Sequence, residues 1–320
     1  MRRRPTSPRR LALAAALIVV VTATACGGLR LGPSDASGGS LVGVADLRGA
    51  TYRVAGGETP ELRVLCQLAI AAMQAAGAQA EDQCGKIGAA DVRRSPEQTE
   101  VDTGWAYVGR VDRDLDDRPD PPLPFAELAR TDAERGVTWL APSAAPDTDV
   151  VVVGPALTAQ GIRTLSALAA RPDVVWCATP DAATDPRRLE AVRATYGAPA
   201  PDAVRTMDGT AVLAGVATGR CGAGEVAGTS GRIPALGLGV LEDDRGAFAS
   251  GPAGPGGAAP VMRTEVFDAH PQVAQVLGAV TSRLTAEALR GMNTEVDQQG
   301  RDPRDAARRW LIAQGLIARG

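Results

Sequence analysis

From about residue 50 onward, short apolar runs alternate with segments of helical period. That alternation confines the chain to α/β layers built on largely parallel strands. The firmest strand is 149–154, where four consecutive valines (Val150 to Val153) require burial on both faces. Shorter strands are predicted at 51–55, 174–178 and 237–241. Helices are predicted over 60–76, 164–170, 185–196, 211–217, 271–280, 285–298 and 303–314. Pro60 and Pro186 suit first helical turns, and Thr59 can cap the first helix. Residues 110–124 read as a charged, Pro-rich loop whose aspartates (Asp112, Asp114, Asp116, Asp117) lack the order of a calcium loop. Residues 225–227 open a loop-rich passage, and 251–259 is Gly/Pro/Ala-rich, a crossover or exposed loop.

The N-terminus carries an address. Arg2, Arg3, Arg4, Arg9 and Arg10 precede an unbroken apolar run from Leu11 to Val21, then Thr22-Ala23-Thr24-Ala25 and Cys26. A basic head, a short apolar core and small residues make a secretory signal over 1–25. The run is shorter than the roughly 20 residues a bilayer span takes. A cysteine directly after the small residues resembles the bacterial lipobox, with Ala23 where leucine is usual, so Cys26 is the expected lipid-bearing residue. Residues 26–46, rich in Gly and Ser, are expected to form a flexible tether. The resulting localisation is the outer face of the cytoplasmic membrane, lipid-anchored.

Export puts the other four cysteines in an oxidising compartment. Three pairings are open to them; Cys66–Cys84 and Cys177–Cys221 are favoured. Cys66 lies early in the first helix, and a parallel strand after that helix would return Cys84 to the helix start. The second pair would join a strand end to the loop after a later helix. Neither pair has metal-site spacing, and no metal or cofactor is expected. A net charge of −3 gives no reason to expect nucleic acid. Nor does a catalytic set stand out. His270, the one histidine, precedes a proline at a predicted helix start and reads as a surface or cap residue. Gly228-Thr-Ser-Gly-Arg232 has Arg232 where a nucleophile elbow needs glycine. No enzyme activity is expected.

Ordered motifs in the last third point to a family. They are Val240-Leu-Glu-Asp-Asp-Arg-Gly246, Ala259-Pro-Val-Met-Arg263, Leu284-Thr-Ala-Glu-Ala-Leu with Met292-Asn293 and Val296-Asp297, and Asp302-Pro303 with Ala307 and Trp310-Leu311. Upstream, Gly56-Gly-Glu-Thr-Pro-Glu61, Met207-Asp208 and Gly224-Glu-Val226 with Ser230-Gly-Arg-Ile233 agree. Together they resemble the substrate-binding lipoproteins of osmoprotectant ABC importers, which capture glycine betaine, choline and carnitine. The resemblance runs from about 43 to 317. It implies a type II binding-protein fold, two α/β lobes joined by crossover strands near 142–152 and 241–260, with the solute between them. Lobe 1 would hold 47–148 plus 252–320, and lobe 2 would hold 149–251. Permease and ATPase subunits are the implied partners of a monomer.

A quaternary ammonium has no N–H and is held by aromatic faces, yet this chain is only 3% aromatic. Where the family binds, the chain departs from it: Val101-Asp-Thr-Gly-Trp105 is shortened, Ala145-Pro-Asp-Thr148 and Pro180-Asp-Ala-Ala183 lack the family's aromatics, and Leu213 replaces a tyrosine. By matching segments, the resemblance implies ligand contacts from Glu58, Thr59, Thr103, Trp105, Tyr107, Asp147, Thr148, Asp181, Thr229 and Ser230. As a set they describe a smaller and more polar cleft. Two functions fit: a solute-binding lipoprotein of an importer, or an envelope lipoprotein that keeps the scaffold as a sensor or accessory protein. Replacing Cys26 by serine is expected to abolish labelling with a lipid analogue and leave the precursor unprocessed; unchanged processing would remove the anchor from the account.

Overall fold

The computed structural model describes residues 39–86, 101–108, 123–146, 148–248 and 256–319. In chain order the first stretch holds β1 (Thr51–Gly56), α1 (Pro60–Ala75), β2 (Gln79–Cys84), β3 (Thr103–Tyr107), α2 (Phe125–Ala133) and β4 (Val137–Trp139). The middle holds β5 (Asp149–Val153), α3 (Pro155–Ala159), α4 (Leu165–Ala169), β6 (Trp176–Ala178), α5 (Pro180–Thr184), α6 (Leu189–Tyr196), β7 (Val204–Thr206), α7 (Gly209–Ala217), β8 (Ala223–Ala227), α8 (Arg232–Ala235) and β9 (Gly239–Val240). The chain then returns through β10 (Ala258–Arg263), α9 (Thr264–Ala269), α10 (Val273–Thr281), α11 (Ala286–Asp297) and α12 (Pro303–Ala313).

Two five-stranded sheets result, ordered β2-β1-β3-β10-β4 and β7-β6-β8-β5-β9. This is the expected two-lobed α/β fold. The sheets share one plan. Each has a single antiparallel strand, β10 in the first and β5 in the second. Each of these is the strand that has just crossed from the other lobe. The two crossings pair with each other: Ser143 N donates to Ala258 O at 2.9 Å, Ala258 N to Ala145 O at 3.1 Å, and Pro146 bridges Gly257. Gly257 has no alternative there, since a Cβ on it would overlap the Ser143 carbonyl oxygen.

The helices follow their end signals. Thr59, Thr164, Thr179, Asp208, Thr285 and Asp302 cap α1, α4, α5, α7, α11 and α12, each accepting a backbone N–H with its side-chain oxygen. α1 is the centre of lobe 1, with residues 64 to 73 buried and α10, α11 and α12 packed on it. The largest core cluster joins it to Leu41, Tyr52, Trp105, Leu289 and Leu311. Lobe 2 has two apolar layers, one on each side of β5: Val151 and Val153 face Leu165, Leu168 and Trp176, while Val152 faces Cys177, Val212 and Val216.

Several expectations shift. The parallel strand expected after the first helix is β2, and five strands outside the predicted set appear: β3, β4, β7, β8 and β10. The passage from residue 225 is strand rather than loop, because β8 is paired on both sides, by β5 and β6. The expected crossovers end sooner, since Asp149 and Ala258 already enter ladders. The helix expected from residue 185 starts at Leu189, because the Asp185 carboxylate accepts the Arg187 N–H at 2.8 Å and holds a turn. His270 closes α9 instead of opening the next helix, with its ring edge-on to Tyr52 at 6.3 Å. The tether expected to run to residue 46 is docked by residue 40: Ser40 N and Leu41 N donate to Gly315 O and Leu316 O, and Leu41 is fully buried. Cys26 and the signal segment lie outside the described residues, as does the 110–122 part of the charged loop. No helix among the described residues is long and apolar enough to cross a membrane.

Both favoured disulfides are present. Cys66 in α1 joins Cys84 at the end of β2 (Cα–Cα 5.8 Å), and Cys177 in β6 joins Cys221 before β8 (5.9 Å). The first follows from β1 and β2 being parallel, which sets Gly56 beside Cys84. Because Cys66 and Cys84 are bonded to each other, neither can serve as a thiolate ligand beside Asp82.

One ion cluster ties three strands of lobe 1. Asp102, just before β3, accepts from Arg53 N at 2.7 Å, from the Arg53 guanidinium at 2.9 and 3.2 Å, and from Arg263 at the end of β10 at 2.9 Å. Burial opposes the Asp102 charge, but the Arg53 hydrogen bonds and the two guanidinium charges outweigh it and hold the carboxyl below the usual range. A carboxyl with a depressed folded pKa stabilises above its unfolded value and loses that contribution as pH falls through the folded one. Asp102→Ala is therefore expected to cost about 3 kcal/mol at neutral pH in urea unfolding, with the gap to wild type closing below about pH 4.

Candidate functional site

In open α/β sheets ligands gather beyond the carboxyl ends of the strands. In lobe 1 those ends lead to Gly57-Glu58-Thr59 after β1 and to Tyr107 at the end of β3. In lobe 2 they lead to Thr179 and Asp181 after β6, Met207 and Asp208 after β7, and Thr229 and Ser230 after β8. Because β5 is antiparallel, its start, next to Thr148, lies at the same edge: Gly228 N donates to Thr148 O at 2.9 Å.

Seven of the ten residues implied by the resemblance lie at these edges: Glu58, Thr59 and Tyr107 in lobe 1, and Thr148, Asp181, Thr229 and Ser230 in lobe 2. Glu58, Thr59 and Asp181 are exposed, while Thr148 and Ser230 are half-buried. The Thr59 hydroxyl accepts from Leu62 N at 3.3 Å. Asp147 lies outside the described residues. Thr103 and Trp105 are not at the edge. The Thr103 hydroxyl, 1% exposed, donates to Val261 O at 2.9 Å. Trp105, 2% exposed, belongs to the lobe 1 core. The first three residues of β3, Thr103 to Trp105, are all buried, and only the carboxyl end of the strand leads to the edge.

Two groups at the edges were not singled out from the sequence. The first joins both lobes. Tyr107 donates from its hydroxyl to Glu61 Oε1 at 2.6 Å, and Asn293 Nδ2 of α11 donates to Glu61 Oε2 at 2.7 Å and to Thr229 O at 2.8 Å. Asn293 is only 4% exposed. Tyr107 and Thr229 are thus linked through Glu61 and Asn293. Nearby Asp297 has its carboxyl raised by burial and by the Glu61 charge, against the opposing pull of Arg232 from lobe 2. The second group lies within lobe 2. Arg188 Nε sits 2.7 Å from Asp149 Oδ2 and 2.8 Å from Glu225 Oε1. Burial and the Asp149 charge push the Glu225 carboxyl up to about 8, even with Arg188 beside it. Asn293 and Glu225 both occur in motifs that carry the family resemblance, yet nothing in the local pattern separates them from ordinary helix and strand residues.

The chemistry of these edges is hydrogen bonding and charge. The described residues bring together no nucleophile with an adjacent base, and the edges offer one aromatic side chain, Tyr107, with its hydroxyl engaged by Glu61. A carboxyl whose folded pKa lies above its unfolded value holds its proton longer in the fold, so stability declines as pH rises between the two. For Glu225 that window runs from about 4.5, the ordinary value, to about 8. Thermal unfolding of Glu225→Gln is expected to lose the wild-type decline across that window; an unchanged pH slope would place the proton elsewhere.

Comparisons with known proteins agree with this geometry. Residues 50–313 match the family described as "Substrate binding domain of ABC-type glycine betaine transport system". A glycine-betaine-binding protein of Pseudomonas aeruginosa is 26% identical over 286 residues, 84% of this chain and 90% of that protein. Among solved structures, apo YehZ from Escherichia coli superposes with a TM-score of 0.74 at 21% identity, covering 84% of this chain and all of that one. A glycine betaine/carnitine/choline ABC transporter structure gives 0.68 at 18% identity, over 82% of this chain and 98% of the other. These two likenesses establish a shared fold. With the family match covering most of its length, the chain belongs to the substrate-binding domains of ABC-type glycine betaine transport systems, extracytoplasmic proteins that bind solute for an importer and catalyse no reaction.

Proposed function

We propose that this chain is a lipid-anchored, monomeric solute receptor that holds a small polar solute between its lobes and delivers it to the permease and ATPase of an ABC importer. The lipobox-like Cys26 supports the anchor. With the N-terminal segment docked from Ser40, a tether of about 13 residues would reach roughly 20 Å. Lobe 1 is read as 47–148 plus 252–320 and lobe 2 as 149–251. The observation that carries the reading is the convergence of seven implied ligand residues on the carboxyl edges of two sheets joined by paired crossovers.

The solute is read as a quaternary ammonium compound or a related solute held by polar contacts. Trp105 is in the core, so a cage cannot be drawn from it without disrupting lobe 1, and each missing cation–π contact forgoes about 0.5–2 kcal/mol. Glu58, Thr59, Tyr107, Asp181, Thr229 and Ser230 would supply hydrogen-bonding and charged contacts. The engagement of Tyr107 with Glu61 favours a second reading, an envelope lipoprotein that keeps the scaffold as a sensor or accessory protein; finding permease and ATPase genes beside this one would decide for the importer. Isothermal titration with glycine betaine, choline and carnitine is expected to give weak or undetectable heats. Tight binding of any of the three, near 1 μM or about −8 kcal/mol, would overturn the altered cleft, and loss of that binding in Tyr107→Phe or Thr229→Val would still locate the site.

A further inference from the structure

Helix α11 belongs to lobe 1. Leu289 and Met292 are buried in the same cluster as α1, and its cap residue Thr285 bridges Ala144 in the first crossover. The loop of residues 228–231 belongs to lobe 2: it leaves β8 and enters α8, whose Ile233 is buried with Val152 and Val212. Side-chain donors of α11 reach three carbonyls of this loop. Arg290 Nη1 donates to Gly228 O at 2.6 Å, Asn293 Nδ2 to Thr229 O at 2.8 Å, and Thr294 Oγ1 to Gly231 O at 2.7 Å. Thr294 shares its hydroxyl hydrogen with Arg290 O of its own helix. Spacings of three and four place the donors on one helix face.

The backbones are fitted as closely as the side chains. A Cβ on Gly231 would overlap the main chain of Asn293 and Thr294, so only glycine permits this approach. Every acceptor is a main-chain carbonyl of the loop that also carries Thr229 and Ser230. Asn293 adds the link to Glu61 and from there to Tyr107. The protein itself therefore supplies contacts between the lobes that a bound solute would otherwise have to provide.

We infer that Arg290, Asn293 and Thr294 form a clasp that holds the two lobes together without solute and fixes the position of Thr229 and Ser230. Opening is then an activated step that breaks the clasp. If entry requires the open form, apparent affinity is reduced by the fraction of molecules that are open. The clasp stands on contacts between the lobes and is independent of which solute binds.

The test is the inter-lobe distance in solute-free protein. Fluorophores attached through non-canonical residues at exposed Glu127 and Asp202 report it by single-molecule energy transfer on the full chain. Wild type is expected to show one short-distance population. With net contributions near those of ordinary hydrogen bonds, the combined Arg290→Met, Asn293→Leu and Thr294→Val variant is expected to lower the closed-to-open ratio by about 100-fold. Thr294→Val alone, which keeps the side-chain shape, should lower it about 5-fold, and Thr294→Ser should restore the wild-type distribution. If the triple variant does not fold, the pair of Thr294 variants decides. A wild type already open without solute, or a distance unmoved in the triple variant or in Thr294→Val, overturns the clasp.

Discussion

Each sheet of this protein is completed by a strand that arrives from the other lobe. β5 enters lobe 2 antiparallel to β8 and β9, and β10 enters lobe 1 antiparallel to β3 and β4. The connections to these strands run side by side, paired at Ser143, Ala145 and Ala258. This exchange fixes where the carboxyl edges lie: each hinge segment ends at the edge where its receiving sheet presents its loops. Glu61, in the helix after β1, and Thr229, after β8, are thus joined through Asn293 although about 170 positions separate them.

That seam is more polar than a cage for a quaternary ammonium calls for. Its organising contacts are a carboxylate, a carboxamide and main-chain carbonyls, with Glu61 and Asn293 linking Tyr107 to Thr229. In lobe 2 a guanidinium sits between two carboxylates, and the more buried of these, Glu225, keeps its proton well into neutral pH. Family membership and cleft chemistry are therefore separable. The scaffold places loops, while the side chains on them determine what can be bound, and here they offer hydrogen-bonding and charged groups.

Legibility in the sequence followed local determinism. The valines of β5 could be read because a run buried on both faces has few other uses, and α1 because proline, cap and period agree. β2, Gln-Ala-Glu-Asp-Gln-Cys, has no apolar alternation, and it is a strand because β1 offers it an edge and the Cys66–Cys84 bond pins its end. β8 contains three small residues and a glutamate; burying Glu225 makes sense only once Arg188 and Asp149 are adjacent. β10 contains Pro260, which argues against an inner strand. The proline is tolerated because β4 stops at Trp139, and Pro260 needs only its carbonyl, which accepts from Leu140 N.

The sequence by itself determined the α/β alternation and the family, since each is written in residue types at short range or in a fixed order along the chain, and it favoured the cysteine pairing that the fold then closed. Tertiary structure decided which implied ligand residues can face the seam. Trp105 and Tyr107 are two positions apart and look alike as candidates. The ladder of β3 buries both in the lobe 1 core, but only Tyr107, at the strand's carboxyl end, places its hydroxyl on Glu61, because reach to the seam depends on where strands end, and that is settled by residues far away along the chain.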